Sequence, residues 1–275
     1  SSANYCKANP FSGGKQIVCE NWRNLISVGA KPLAVTNCLN FGNPENPEIM
    51  GEFAECVEGI REACEALDYP VVSGNVSFYN GTNKKNINPT PVIGGVGVIK
   101  NSKKKIDHSL KNEGNLVLQI GKTFGHLYQS VFFEEIYSLK EGPPPEVNLT
   151  NEKNNGEAIL KLINKNLALS VHDISAGGLI LSLAEMSIAS NYGIKIQKPK
   201  KLLNLIEYFF GEDQGRYLIE IDKNDHEKIM NLLKEDNIYN EVVGIVQKDS
   251  FELIDEFKIS TKKLSEVNNK WYNNY

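Results

Sequence analysis

Apolar positions along the chain fall in alternating rhythms of helix and strand. Residues 1–13 carry no clear period and read as an irregular lead-in ending in Phe11-Ser12-Gly13-Gly14. From about Lys15 to Val28, Ile17, Val18, Trp22, Leu25 and Ile26 share one side, which predicts a helix stopped by Gly29. Pro32-Leu33-Ala34-Val35-Thr36 is a short apolar run of the kind that makes a buried strand. Pro47-Glu48 opens a second helix, with proline near the favoured first position, and Phe53, Cys56, Val57, Ile60, Cys64 and Leu67 form its stripe. Pro70-Val71-Val72-Ser73 predicts a second strand ending in Gly74-Asn75, Phe78–Gly81 a turn, and Pro91–Ile99 a third strand with a glycine-rich centre that signals packing.

The polar stretch from Asn101 to Asn115 interrupts this pattern and reads as a boundary. Beyond it, strands are expected at Leu116–Ile120, Ala168–Val171, Tyr217–Ile221 and Val242–Val246, and helices at about Asn155–Asn164, Leu179–Ala189 and Asp225–Lys234. Gly142-Pro143-Pro144-Pro145 reads as a rigid surface loop, and the residues from about Val267 as a frayed, Asn-rich end. The chain therefore reads as α+β, with two α/β layers at roughly 1–110 and 115–265.

Composition narrows the chemistry. The 275 residues are 41% hydrophobic, enough for one large core or two ordinary ones. A net charge of −4 gives no electrostatic reason to expect nucleic acid or a membrane surface as partner. No apolar run is long enough to cross a bilayer and no signal peptide is visible, so a cytoplasmic protein is expected. The first residue is not Met, and the chain is expected to begin inside a longer one. Five cysteines, none with CxxC spacing, argue for reduced thiols. Cys38 alone lies in a segment that looks functional, and no histidine nearby could activate it.

Three segments follow predicted strands and are rich in small or amide-bearing residues, and all three read as ligand loops. The first is Thr36–Gly42, where Asn37, Asn40 and the nearby Asn43 could read a ligand edge or form Asx-turns. The second is Ser73-Gly74-Asn75-Val76-Ser77: glycine admits a close phosphate, asparagine offers a neutral oxygen to Mg²⁺, and serine can donate to an anion. Its bland alternative is an ordinary strand-end turn. The third is His172-Asp173 before Ser175-Ala176-Gly177-Gly178; Asp173 fits either a Mg²⁺ ligand or a helix cap, and His172 a packed histidine. Glu212-Asp213-Gln214 is an acidic cluster suited to a metal or to pairing with Arg216. No Walker A, GxGxxG, HExxH or GxSxG motif is present.

Taken in order, these segments resemble one family. Gly29–Pro44, Pro70–Asn80, Pro89–Gly97, His172–Leu179 and Phe210–Arg216 together look like the second half of the synthetase subunit of phosphoribosylformylglycinamidine synthases. The resemblance implies the fold of the aminoimidazole ribonucleotide synthetase superfamily, with an N-terminal barrel-forming domain and a C-terminal α/β domain. It implies a purine-biosynthetic C–N ligase: ATP phosphorylates the formamide oxygen of formylglycinamide ribonucleotide, and ammonia from glutamine displaces the phosphate, with Mg²⁺ neutralising charge. By motif position, the resemblance implies that Asn37 and Gly74 contact ATP, Asn75 ligates Mg²⁺ and Ser77 touches substrate. The family usually has Asp at the position of Asn37, so the contact there loses a charge. Asp173, Glu212 and Asp213 match motifs that act in the family's first half, and here are either vestigial or part of an auxiliary nucleotide site.

The resemblance also implies partners: the first half of the same synthetase, a glutaminase subunit and a small accessory subunit. The family's catalytic His and most of its Mg²⁺ ligands lie in that first half, so this polypeptide alone is expected to be inactive. It is further expected to start partway through its own N-terminal domain, and to form a homodimer through the face that the first half would cover. Two other readings stand beside this one: a nucleotide-binding module without chemistry of its own, and a kinase-like relative within the superfamily.

Overall fold

A computed structural model of the chain describes residues 3–83, 85–199, 204–270 and 272. The first segment is helical, not irregular. Helix α1 (Ala3–Ala8) is followed directly by α2 (Pro10–Ser27), with Asn9 accepting from the Ser12 amide at 2.8 Å and proline at the first turn. The glycines that suggested a lead-in sit inside α2 for a packing reason. A Cβ at Gly14 would lie 2.3 Å from the Cys56 carbonyl of α3 (Pro47–Ala66), and one at Gly59 of α3 would lie 2.0 Å from the Phe11 carbonyl. The two helices cross backbone to backbone. The stripe of α3 buries Cys56, Ile60, Cys64 and Leu67, whereas Val57 is exposed.

Strands β1 (Lys31–Asn40) and β2 (Val71–Ser77) lie parallel. A small hairpin, β3 (Gly81–Thr82) with β4 (Lys85–Asn86), precedes β5 (Thr90–Val98), which runs antiparallel to β1. The sheet order is β2-β1-β5. Helices α2 and α3 cover one face, burying Val35 and Leu39; Gly95 lies against Asn21 and the Tyr69 hydroxyl, the packing role expected of the glycine-rich strand.

The second sheet has seven strands in the order β12-β11-β8-β10-β6-β9-β7. They are β6 (Leu116–Ile120), β7 (Ser170–Ile174), β8 (Tyr192–Ile196), β9 (Arg216–Ile221), β10 (Asn240–Lys248), β11 (Ser250–Leu253) and β12 (Phe257–Ser260). All neighbours are antiparallel except β11 and β8. The helices of this part are α4 (Val131–Tyr137), α5 (Leu149–Asn164), α6 (Gly178–Ser190), α7 (Leu205–Phe210), α8 (His226–Glu235) and α9 (Thr261–Asn269). The last of these replaces the expected frayed end as far as Asn269, with Ser260 capping it through the Lys263 amide at 3.1 Å. The remainder of that expectation falls largely outside the described residues.

One apolar core joins the two sheets. It runs from Ile17, Trp22 and Ile26 of α2 through Ile60 of α3 to Ile159 and Leu162 of α5 and to Leu118 and Ile219 of the second sheet. A second cluster fills the space beneath α6 and α7. Because the α2–α3 crossing leaves no room for a methyl group, Gly59→Ala is expected to lower stability by about 1–3 kcal/mol. A drop in the urea midpoint with an unchanged slope is the measurement that checks this.

Candidate functional site

The first two motifs are paired strands, not loops. Thr36–Asn40 completes β1 and Ser73–Ser77 completes β2, in register as Thr36↔Ser73, Asn37↔Gly74, Cys38↔Asn75 and Asn40↔Ser77. The apolar run ends at Thr36, but the strand continues because its polar side chains bond across to the neighbour. Thr36 Oγ1 and Ser73 Oγ are 2.8 Å apart, and Cys38 Sγ donates to Asn75 Oδ1 at 3.7 Å. Asn40 is held by the Thr90 carbonyl at 3.2 Å, and Asn43 Oδ1 accepts from the Glu45 amide at 2.9 Å as an Asx-turn.

This register divides the four predicted site residues between two faces. Asn37 lies between the buried Val35 and Leu39 on the helix-covered face, and Gly74 lies beside it. A Cβ at Gly74 would come within 1.9 Å of Asn37 Oδ1, so glycine is what lets the Asn37 amide extend across β2. Asn75 and Ser77 face the other way, with Thr36, Cys38 and Val92. That face is open: Val92 and Val96 are 51% and 59% exposed. β2 is an edge strand, exposed along its whole length except at Ser77. A ligand touching both faces must therefore pass around its free edge.

The end of β2 is anchored. Phe41, Phe53 and Phe78 pack edge to face, with centroids 5.2 and 5.0 Å apart. Above them Asn80 reaches back to Phe41 and Ser77 through its side chain. In sequence Asn80 is simply part of the turn at Phe78–Gly81. An amide three residues after a site serine is a signal that could have marked it.

The third motif and the acidic cluster are knitted into the structure. His172, Asp173 and Ile174 belong to β7, and α6 is capped by Gly177 without a side-chain bond, so Asp173 is not its cap. Asp173 accepts from Ser175 Oγ at 2.8 Å and lies 3.4 Å from His172 Nδ1; His172 Nε2 is 2.9 Å from Glu185. Burial works against a charged imidazole here, but bonds to Asp173 and Glu185 outweigh it and raise the His172 pKa to about 9. Glu212 accepts from the Tyr5 hydroxyl and from the Val131 and Gly177 amides, both at 2.8 Å. Asp213 accepts from the Phe124, Gly125 and His126 amides. Arg216 does not bond either carboxylate: it donates to the carbonyls of Asp213 and Gly211 and to Thr123 Oγ1. A cavity of about 250 Å³ lies beside Glu212, between Tyr5, Gln16 and Ser175.

The residues present do not make a Mg²⁺ site by themselves. Among the described residues no group of three or more His, Cys, Asp or Glu side chains could hold a metal. Asn75 offers one neutral oxygen, against the several oxygens, usually with a carboxylate, that Mg²⁺ requires. A larger cavity, about 640 Å³, lies on the second sheet between Phe124, Tyr208, Tyr239 and Glu241. It contains no predicted site residue, and its carboxylate already accepts from the Tyr208 hydroxyl at 2.8 Å.

Comparison with known proteins bears on this geometry. Residues 1–99 match the AIR synthase related protein, N-terminal domain, and residues 112–256 match the C-terminal domain of the same family. The phosphoribosylformylglycinamidine synthase subunit PurL of Pelagibacter ubique (strain HTCC1062) is 55% identical over the whole chain. The chain spans 38% of that relative's length. Thermotoga maritima PurL complexed with FGAR superimposes with a TM-score of 0.78 at 17% identity, over 95% of this chain and 44% of that one. The same protein complexed with ATP gives 0.73 at 16% identity, over 94% and 42%. At these identities the superpositions establish the fold. Among the described residues, no helix is long and apolar enough to cross a membrane.

The His172 ion pairs predict a pH dependence. A pKa raised from 6.5 to about 9 stabilises the fold fully below 6.5, and that contribution is lost as pH rises through 9. His172→Gln is therefore expected to flatten the fall in stability across pH 6.5–9, read from urea midpoints at successive pH values.

Proposed function

The chain belongs to the AIR synthase related family, and on that premise we propose that it is the second half of a phosphoribosylformylglycinamidine synthase synthetase chain. The observation that carries this reading is the strand pair: two separate motifs meet in register and line both faces of an exposed edge strand. The 55% identity to a PurL subunit along all 275 residues supports it. The solved PurL complexes with FGAR and ATP supply the ligand classes.

In this reading ATP transfers its γ-phosphoryl group to the formamide oxygen of formylglycinamide ribonucleotide. Ammonia then displaces phosphate to give the amidine. The chain contributes one wall of the site. Asn37 and Gly74 meet ATP from the helix-covered face, the Asn37 amide serving as a neutral contact where the family usually has a carboxylate. From the open face Asn75 would offer its side-chain oxygen to Mg²⁺, which would neutralise phosphate charge, and Ser77 meets the substrate; the ligands wrap the free edge of β2. The remaining Mg²⁺ ligands would come from the first half of the synthetase. Asp173, Glu212 and Asp213 serve the fold.

The open face with Val92 and Val96 is where that first half docks, and a homodimer substitutes for it when this chain is alone. The two domains are residues 1–110 and 115–265, working in the cytoplasm with glutaminase and small accessory subunits.

The test uses the intact synthetase. Asn75→Ala is expected to lower kcat by at least ~10-fold while the protein remains folded. Unchanged turnover with retained nucleotide binding would favour the module without chemistry. This chain by itself is expected to release no ADP from ATP, formylglycinamide ribonucleotide and ammonia; turnover by it would overturn the division of the site between two halves.

A further inference from the structure

We propose that Asn80 is a positioning residue that turns the Ser77 hydroxyl into a hydrogen-bond acceptor for the substrate, so that Ser77 recognises a hydroxyl or N–H group and not a phosphate oxygen. This rests on the reading of Ser77 as a substrate contact.

The hydrogen-bond valences of the Asn80 amide decide which way the Ser77 hydroxyl points. The Asn80 side-chain nitrogen lies 3.0 Å from the Phe41 carbonyl and 2.9 Å from the Ser77 carbonyl. Carbonyl oxygens only accept, so both amide hydrogens are committed and the orientation of the amide is fixed. The Ser77 carbonyl is the same oxygen that receives the Phe41 amide at 2.9 Å, which ties the ends of β1 and β2 together at this point. The Asn80 nitrogen also lies 3.1 Å from Ser77 Oγ, but it has no third hydrogen to donate. What remains is the Asn80 oxygen, an acceptor, 3.2 Å from Ser77 Oγ. The hydroxyl proton of Ser77 therefore points at Asn80, and its lone pairs are left for whatever approaches along β2.

The scaffold holds this arrangement. Tyr79 takes a left-handed φ of 60°, which turns the chain so that Asn80 falls back over Ser77. The Asn80 amide adds a backbone bond to the Phe41 carbonyl at 3.2 Å, and the Tyr79 amide one to Gly42 at 2.9 Å. Phe41 itself is 1% exposed. A serine oriented as an acceptor repels an anionic phosphate oxygen and attracts a donor. In formylglycinamide ribonucleotide the donors are the ribose hydroxyls and the amide N–H groups.

A double-mutant cycle in the intact synthetase tests this. Ser77→Ala and Asn80→Ala are each expected to raise KM for formylglycinamide ribonucleotide on the order of tenfold, with kcat changed less. In the Ser77→Ala background, Asn80→Ala is expected to change KM by less than about twofold, because Asn80 acts through Ser77. Effects that multiply would overturn the proposal and leave Asn80 as a structural clamp only. An unchanged KM in Ser77→Ala would remove the substrate contact itself, which is a separate failure of the functional reading. Should Asn80→Ala not fold, a crystal structure of the intact enzyme with its substrate decides: a ribose hydroxyl or amide nitrogen against Ser77 Oγ supports the proposal, and a phosphate oxygen or no donor there overturns it.

Discussion

The buried ion pair between Arg23 and Glu152 sets the relation between the two sheets. Arg23 lies on α2 and Glu152 on α5; their side chains are 0% and 1% exposed, with 2.5 Å between charged atoms. A second guanidinium nitrogen reaches Gln214 at 3.0 Å. Burial pushes Glu152 toward its neutral form and Arg23 opposes that shift. A charge left alone in such a place costs about 3–5 kcal/mol, which makes the pair strict about geometry even where its net contribution is small. Since α2 also packs on the first sheet, this contact acts together with the shared apolar core to hold the open face of β1 and β2 in place. A buried hydrogen bond from the Tyr5 hydroxyl to Glu212 adds a second polar contact, one helix earlier.

The acidic cluster is bound into the same framework. Glu212 and Asp213 look like ligands because two carboxylates stand together before an arginine. Their partners are main-chain amides from Phe124–His126, Val131 and Gly177, distant in sequence, together with the Tyr5 hydroxyl. No local pattern reports such partners. Periodicity served better: the stripe of α3, the bounds of β6 and the start of α6 were all legible, because burial imposes a period that needs no knowledge of the partner. It failed at α4, whose Ile136 and Tyr137 are exposed, and at the short outer strands β12, at the sheet's edge, and β11 beside it.

The candidate site was legible in position but not in form. Asn37, Gly74, Asn75 and Ser77 do come together, yet as paired strands. A polar run after an apolar one reads as a loop when side chains are assumed to seek water, whereas Thr36 and Cys38 bond to β2 and Asn40 to β5. The split of Asn37 from Asn75 across the sheet follows from the two-residue repeat of a strand. It was available to the sequence only once the strand had been extended past Thr36.

The crossing of α2 and α3 carries a lesson for reading related sequences. Glycine at positions 14 and 59 would hold through any change of substrate, because the adjoining carbonyls lie where a methyl group would go. An alignment column fixed at glycine there records how near two helices lie. Gly74 differs in kind: the atom that forbids a side chain is the Asn37 amide oxygen, itself replaceable. A shorter residue in place of Asn37 would remove that clash and leave the Asn37 carbonyl at 3.1 Å, whereas no change of side chain relieves the carbonyls at Gly14 and Gly59.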